Sequence, residues 1–117
     1  KIFGSPDTHI FYEWAFMYAP EIEFEDFNKM EEDCDIMLTH DAAYGQNDVC
    51  NIITNDHLGN RELAKVLENK HPKYHFTGHL HTSDHNLVNY NGTNTVCVSL
   101  LNEQYNLVYD PLIIDIQ

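Results

Sequence analysis

Apolar and polar positions follow two rhythms along this chain. "DIMLTH" at 35–40 and "KYHFTG" at 73–78 are short runs with apolar centres and polar or turn-forming borders, which predicts two buried strands. Between them Leu63, Val66 and Leu67 recur at helical spacing. An asparagine stands at the start and Pro72 follows the end, so the spacing predicts a helix over 60–70. Strand, helix and strand in that order form a βαβ unit, whose strands lie parallel and side by side.

Other segments fill in around this unit. Residues 1–3 read as the end of a strand, cut by Gly4 and Pro6. "FYEWAFMYAP" is aromatic and stops at Pro20; its pattern leaves a short helix and an irregular packed segment both open. Phe24, Phe27 and Met30 predict a short helix over 24–32, exposed and acidic, within "EIEFEDFNKMEEDCD". "DAAYGQNDVCNIITNDHLG" at 41–59 is a long connection rich in turn residues, a length usually associated with function or disorder. "NLVNYNGTNTVCVSL" predicts a β-hairpin, with Asn91 and Gly92 supplying the positive φ angles of its turn. "YDPLIIDI" predicts a last strand. With no repeat, low-complexity tract or linker, the expectation is one α/β domain over 1–117, in layers.

The βαβ geometry has a chemical consequence. Both strands end at one edge, where ligands of open α/β sheets collect. His40 directly follows the first strand, and His79 and His81 directly follow the second, so three histidines reach one rim. Eight histidines in 117 residues give an H-x-H pair by chance in roughly one of two such sequences. A preceding glycine lowers that to roughly one in fifty, so ordinary turn histidines are the poorer account of "GHLH". Neutral imidazole is a good ligand for zinc, manganese and iron. Imidazoles on alternate residues of an extended turn diverge, which suits two neighbouring metals, and Gly78 lets the backbone turn sharply beside them. His57 and His85 lie in loops that overhang the rim and are candidate substrate contacts. His75 sits inside a strand, where packing or a satisfied hydrogen bond is expected. His71 stands at the helix end, near the negative pole of its dipole, and His9 has no assigned role.

Composition narrows the partners. Hydrophobic residues make up 43% of the chain and aromatic ones 12%, enough for a real core. Six basic against 19 acidic residues give a formal charge of −13 and no basic patch, which argues against long nucleic acid. Cys34, Cys50 and Cys97 are odd in number and lack C-x-x-C spacing, so a reducing cytoplasm fits better than a disulfide scaffold. No apolar run approaches the ~20 residues that cross a bilayer, and the start lacks a basic-then-apolar pattern, so neither a membrane partner nor a signal sequence is expected. The chain opens on "KIFGSP", a lysine with a strand already under way, as if sequence preceded it.

"LTHDAAYG" and "FTGHLH" in this setting resemble the calcineurin-like metallophosphoesterases. "FGSPDTHIFYEWAF", "HLGNRELAKVLENKHPKYHFTGHLH" and "NEQYNLVYDPLIIDI" are similar to successive segments of a small phosphodiesterase-like branch. The resemblance covers nearly the whole chain and corresponds to that family's C-terminal half. It therefore implies half of a layered β-sandwich flanked by helices. It also implies two divalent metal ions (manganese, iron or zinc) between two packed sheets, holding a bridging hydroxide. The histidine after "LT", here His40, and the first of G-H-x-H, here His79, would bind one metal; the second, His81, would bind the other. The branch usually continues from that first histidine with glycine and prolines, whereas Asp41, Ala42 and Ala43 follow here. Asp41 either bonds an imidazole from behind or is exposed.

The family's D-x-H, G-D-x-x-D and G-N-H-D/E motifs supply its carboxylate ligands. "DTH" at 7–9 and "GNRE" at 59–62 imitate the first and third. Pro6 and "FGS" stand where the first needs an apolar strand, and Arg61 stands where the third needs histidine. No G-D-x-x-D occurs, so the carboxylates must come from an N-terminal half or from another chain. No general acid is assigned. The expectation is a metal-dependent phosphoester hydrolase, a phosphodiesterase by preference, acting on a small phosphate ester. The alternative is a truncated or degenerate relative that serves as a metal-binding or partner-docking module without catalysis. In either case a half-sandwich exposes a large apolar sheet face.

Overall fold

The computed structural model describes residues 1–51 and 56–116, without the side chains of Cys50 and Asn51. In chain order the elements are β1 (Ile2–Ser5), β2 (Thr8–His9), β3 (Met17–Tyr18), α1 (Pro20–Phe27), β4 (Ile36–Thr39), β5 (Val49–Asn51), β6 (Asp56–His57), α2 (Arg61–Leu67), β7 (Tyr74–Thr77), β8 (Val88–Tyr90) and β9 (Thr93–Cys97). Five strands form one sheet in the order β1-β4-β7-β9-β8. The first four run parallel, and β8 joins the edge antiparallel.

The expected βαβ unit is present as β4, α2 and β7, with Met37 registered against His75. The α2 N-terminus is fixed by Asn60, whose side-chain oxygen accepts from the amides of Glu62 at 3.0 Å and Leu63 at 3.1 Å. The predicted hairpin is present as well: Asn91 (φ 52°) and Gly92 (φ 91°) turn β8 into β9. Such a turn needs two left-handed residues, and Asn-Gly tolerates them at least strain.

Strand alternation sorts the two sheet faces. Phe3, Met37, His75 and Thr95 share one cross-strand row. Phe3 and Met37 pack there with Phe27, Leu63, Val66 and Leu67 of the helices to form the core. On the opposite face Gly4, Leu38, Phe76 and Val96 form the next row. Leu38 is 44% exposed, and a groove of about 370 Å³ lies between Leu38, Phe76 and Val98 and the C-terminal residues Leu112, Ile114 and Ile116.

Several boundaries differ from the sequence reading. β1 runs through Gly4 to Ser5, because its partner β4 continues opposite it. Helix α1 begins at Pro20 rather than near Phe24, since proline at the first helical position loses no hydrogen bond. It ends at Phe27; Phe27 and Met30 are buried, but Phe24 is exposed and the acidic Glu23 is buried in its place. The long connection carries β5 and β6, paired antiparallel, while residues 52–55 lie outside the described residues. "YDPLIIDI" forms no strand; Pro111 lacks the amide that a ladder would need there. Cys34 and Cys97 are buried free thiols, and Cys50 falls outside the described side chains. Among the described residues, no helix is long and apolar enough to cross a membrane.

Candidate metal-binding histidine site

Adjacent parallel strands bring His40 and His79 together. The Gly78 amide donates to the His40 carbonyl at 3.1 Å, tying the two strand ends. Above that bond, His40 Nε2 lies 3.1 Å from His79 Nδ1, with ring centroids 4.8 Å apart. Two nitrogens held ~2.0–2.1 Å from one metal at neighbouring positions are separated by about this distance.

His79 has a positive φ of 58°. The Leu80 amide donates to the Gly78 carbonyl at 2.6 Å, so His79 is the central residue of a γ-turn of the rare, strained hand. This corrects the expected role of Gly78. A Cβ there would meet the His40 carbonyl oxygen at 3.8 Å and Nδ1 at 4.0 Å, an ordinary contact. Burial lowers the His79 pKa from its ordinary value; Asp41 opposes the shift, and the neighbouring His40, His9 and His81 reinforce it. The ring is thereby favoured in the neutral form that binds metals.

His81 is held from one side. Its Nδ1 donates to the Asn102 carbonyl at 2.9 Å, which fixes the tautomer because a carbonyl can only accept, and leaves the Nε2 lone pair free. His85 donates from Nε2 to the His81 carbonyl at 2.9 Å and stacks on Tyr109 with centroids 3.6 Å apart. Its placement buttresses the His81 turn. His57 pairs through Nδ1 with Asp48 Oδ1 at 2.6 Å, and its ring lies 5.5 Å from Tyr44. Asp48 is fully buried and also accepts from the Gly59 amide at 3.0 Å.

The remaining histidines divide clearly. His71 is exposed beyond the end of α2, and so does not act on its dipole from within the last turn. His75 is fully buried, with Nε2 2.7 Å from the Thr39 hydroxyl. That hydroxyl donates to the Asp41 carbonyl at 2.6 Å, so it can only accept from His75. Burial pushes the His75 pKa down to about 4.

His9, unassigned from sequence, enters the site. Its backbone amide donates to Asp41 Oδ2 at 2.9 Å, and its Nδ1 lies 3.0 Å from the same oxygen. Its ring stands edge-on to His79, with centroids 6.2 Å apart. Asp41 is 1% exposed, so of the two expectations for it exposure fails, and the imidazole it bonds belongs to His9. Asn60 donates from Nδ2 to Asp41 Oδ2 at 3.0 Å and to Glu23 Oε2 at 3.3 Å, extending a buried polar chain from the rim into α1. Burial pushes the Asp41 carboxyl up, but hydrogen bonds from His9 and Asn60 outweigh it and hold the pKa below its ordinary value. Glu23 has one weaker donor, and burial raises it to about 7. The signal in sequence was "DTH", whose histidine arrives although its aspartate turns to Asp26 instead.

A cavity of about 350 Å³ opens beside the paired imidazoles, between His40, His79 and the aromatic segment after His9. Among the described residues, no three His, Cys, Asp or Glu side chains converge as metal ligands, so His40 and His79 stand as a two-donor pair. No family model matches the chain. It is 29% identical over 117 residues to the UPF0046 protein T07D4.2 of Caenorhabditis elegans, an alignment that takes in 98% of this chain. The chain spans 29% of the length of that worm protein.

Proposed function

We propose that this chain is the histidine-bearing part of a dinuclear metallophosphoesterase that hydrolyses a small phosphate ester, preferably a diester. The observation that carries the reading is the convergence of His40 Nε2 and His79 Nδ1, 3.1 Å apart at the ends of adjacent parallel strands. These two residues would hold one divalent cation, and His81, with Nδ1 already spent on Asn102, would offer Nε2 to a second. Cations bound there would supply Lewis acidity, making an attacking water more acidic and offsetting charge on the phosphoryl group. The chain's own residues orient the ligands: Gly78 ties the two strand ends, and His85 and Asn102 fix the His81 turn.

Carboxylate ligands would come from sequence or a chain beyond these 117 residues. The exposed outer sheet face, with Ile2 at 69% and Leu38 at 44% exposed, supports a second layer packed there, as a full sandwich requires. Two donors without a converging third support a second reading, a metal-binding or docking module without catalysis. Metal content and bis-p-nitrophenyl phosphate hydrolysis with added manganese, for wild type and His79→Ala, decide the matter. The enzyme reading expects both to fall at least tenfold in the variant. Metal uptake without hydrolysis in the wild type favours the module, and two unchanged values overturn the site.

A further inference from the structure

The cavity beside His40 and His79 has walls that the metal reading does not use. Phe11, Trp14, Phe16 and Met17 line it together with the two histidines. Phe11 links the two parts, its ring 5.5 Å from His79 on one side and 5.2 Å from Trp14 on the other. Trp14 is 64% exposed and Phe16 52% exposed, so these rings face solvent or a ligand rather than the core.

Phe16 also has a left-handed backbone, at φ 63°, a genuine outlier for a bulky side chain. Its carbonyl accepts from the Thr8 amide at 2.8 Å, which holds the strained segment against β2. Phe16 and His79 are two of the five non-glycine residues with positive φ among the described residues, and both line this one cavity. Strain concentrated at one concave site is a mark of a binding site, and here it holds an aromatic wall and a polar end in fixed relation.

We propose that this cavity binds the planar aromatic group of an aryl ester, with its phosphoryl end at His40 and His79. The inference rests on the hydrolase reading for the phosphoryl end and adds the class of the organic group. The volume of about 350 Å³ lies within the range of small-molecule sites. None of the lining residues is Lys, Arg, Asp or Glu, so the walls offer ring faces and edges rather than charge. An anionic end is then met only at the histidine side. A formal charge of −13 opposes polyanions over the whole surface but places no bar on a neutral ring.

Trp14 is the one tryptophan of the chain, so its fluorescence reports on the cavity directly. Phenylphosphonate and methylphosphonate are titrated into the full chain, with and without manganese. The expected result is saturable Trp14 quenching with phenylphosphonate bound at least tenfold more tightly than methylphosphonate. In Phe11→Ala and Phe16→Ala the ratio falls toward one while methylphosphonate affinity holds; far-UV circular dichroism checks that both variants fold. Equal affinity for the two phosphonates, or a phenyl preference intact in both variants, overturns the proposal. Manganese-independent binding of both phosphonates counts against the metal reading alone, because the phenyl-to-methyl ratio still reads the aromatic wall.

Discussion

Asp41 receives His9 twice, from the backbone amide at 2.9 Å and the ring at 3.0 Å, so one buried carboxylate oxygen fastens β2 to the loop that begins at His40. Asn60 adds a third donor to the same oxygen. Replacing Asp41 by alanine leaves these donors without their acceptor, and the expected loss is on the order of 3 kcal/mol in urea unfolding. The pairing also raises the His9 pKa above its ordinary value, the Asp41 hydrogen bond being the main cause. Its stabilising share is full below the ordinary histidine value and is lost as pH rises through the raised one. In Asp41→Asn the His9 ring should titrate lower, measured by the NMR shift of its Cε1 proton; an unchanged midpoint would show that the two residues are not paired in solution.

Glu23 and His75 are buried groups whose pH dependences oppose each other. Glu23 keeps its proton in the folded chain to about 7, against 4.5 when unfolded. Its contribution is full below 4.5 and is lost as pH rises to about 7. His75 stays neutral down to about 4, against 6.5 unfolded, so its contribution is full above 6.5 and is lost as pH falls to about 4. The two slopes nearly cancel where the windows overlap. Glu23→Gln should gain on the order of 2–3 kcal/mol on wild type between pH 5 and 8. His75→Gln should gain a similar amount between pH 7 and 4, with its amide still able to donate to Thr39. Urea midpoints across pH, taken as differences from wild type, test both; parallel curves would remove these groups as the titrating pair.

The βαβ unit was legible because its determinants are local. Asn60 caps a helix with a clear apolar stripe, and each strand is a short apolar run with marked ends. The hairpin was legible for the same reason, its turn being written in Asn91 and Gly92. Placing His40 and His79 at one rim followed from the parallel connection alone. His9 was out of reach because its approach depends on Asp41, 32 positions away, and on a two-residue strand with no periodicity to read. Glu23 misled for a related reason. It lies in an acidic run that reads as a solvated face, but tertiary packing turns it inward to Asn60.

The strain at His79 separates backbone from side-chain effects. Alanine at 79 removes the imidazole but leaves a β-carbon at φ 58°, whereas glycine removes both. His79→Gly should therefore be more stable than His79→Ala by about 1 kcal/mol, although metal uptake falls equally in both. Thermal unfolding and manganese titration of the pair check this. A glycine variant no more stable than the alanine one would mean that the γ-turn is not strained.

Two glycines near the site call for opposite outcomes. At Gly59 an added Cβ would stand 2.6 Å from the Ala43 carbonyl carbon and oxygen and from the Tyr44 nitrogen, all of them backbone atoms that cannot swing aside. The approach is that close because the Asn60 amide donates to the Ala42 carbonyl at 2.8 Å and the Tyr44 amide to the Asn60 carbonyl at 3.0 Å. That pair of bonds seats the α2 cap against the loop that carries His40 and Asp41. Gly59→Ala must push these two segments apart, and it should destabilise the chain by on the order of 2–4 kcal/mol while loosening the Asn60 to Asp41 bond. Gly78→Ala meets only ordinary contacts and should stay within about 1 kcal/mol of wild type. If urea unfolding ranks the two variants the other way, the backbone approach at Gly59 is not the clamp that positions the histidine loop.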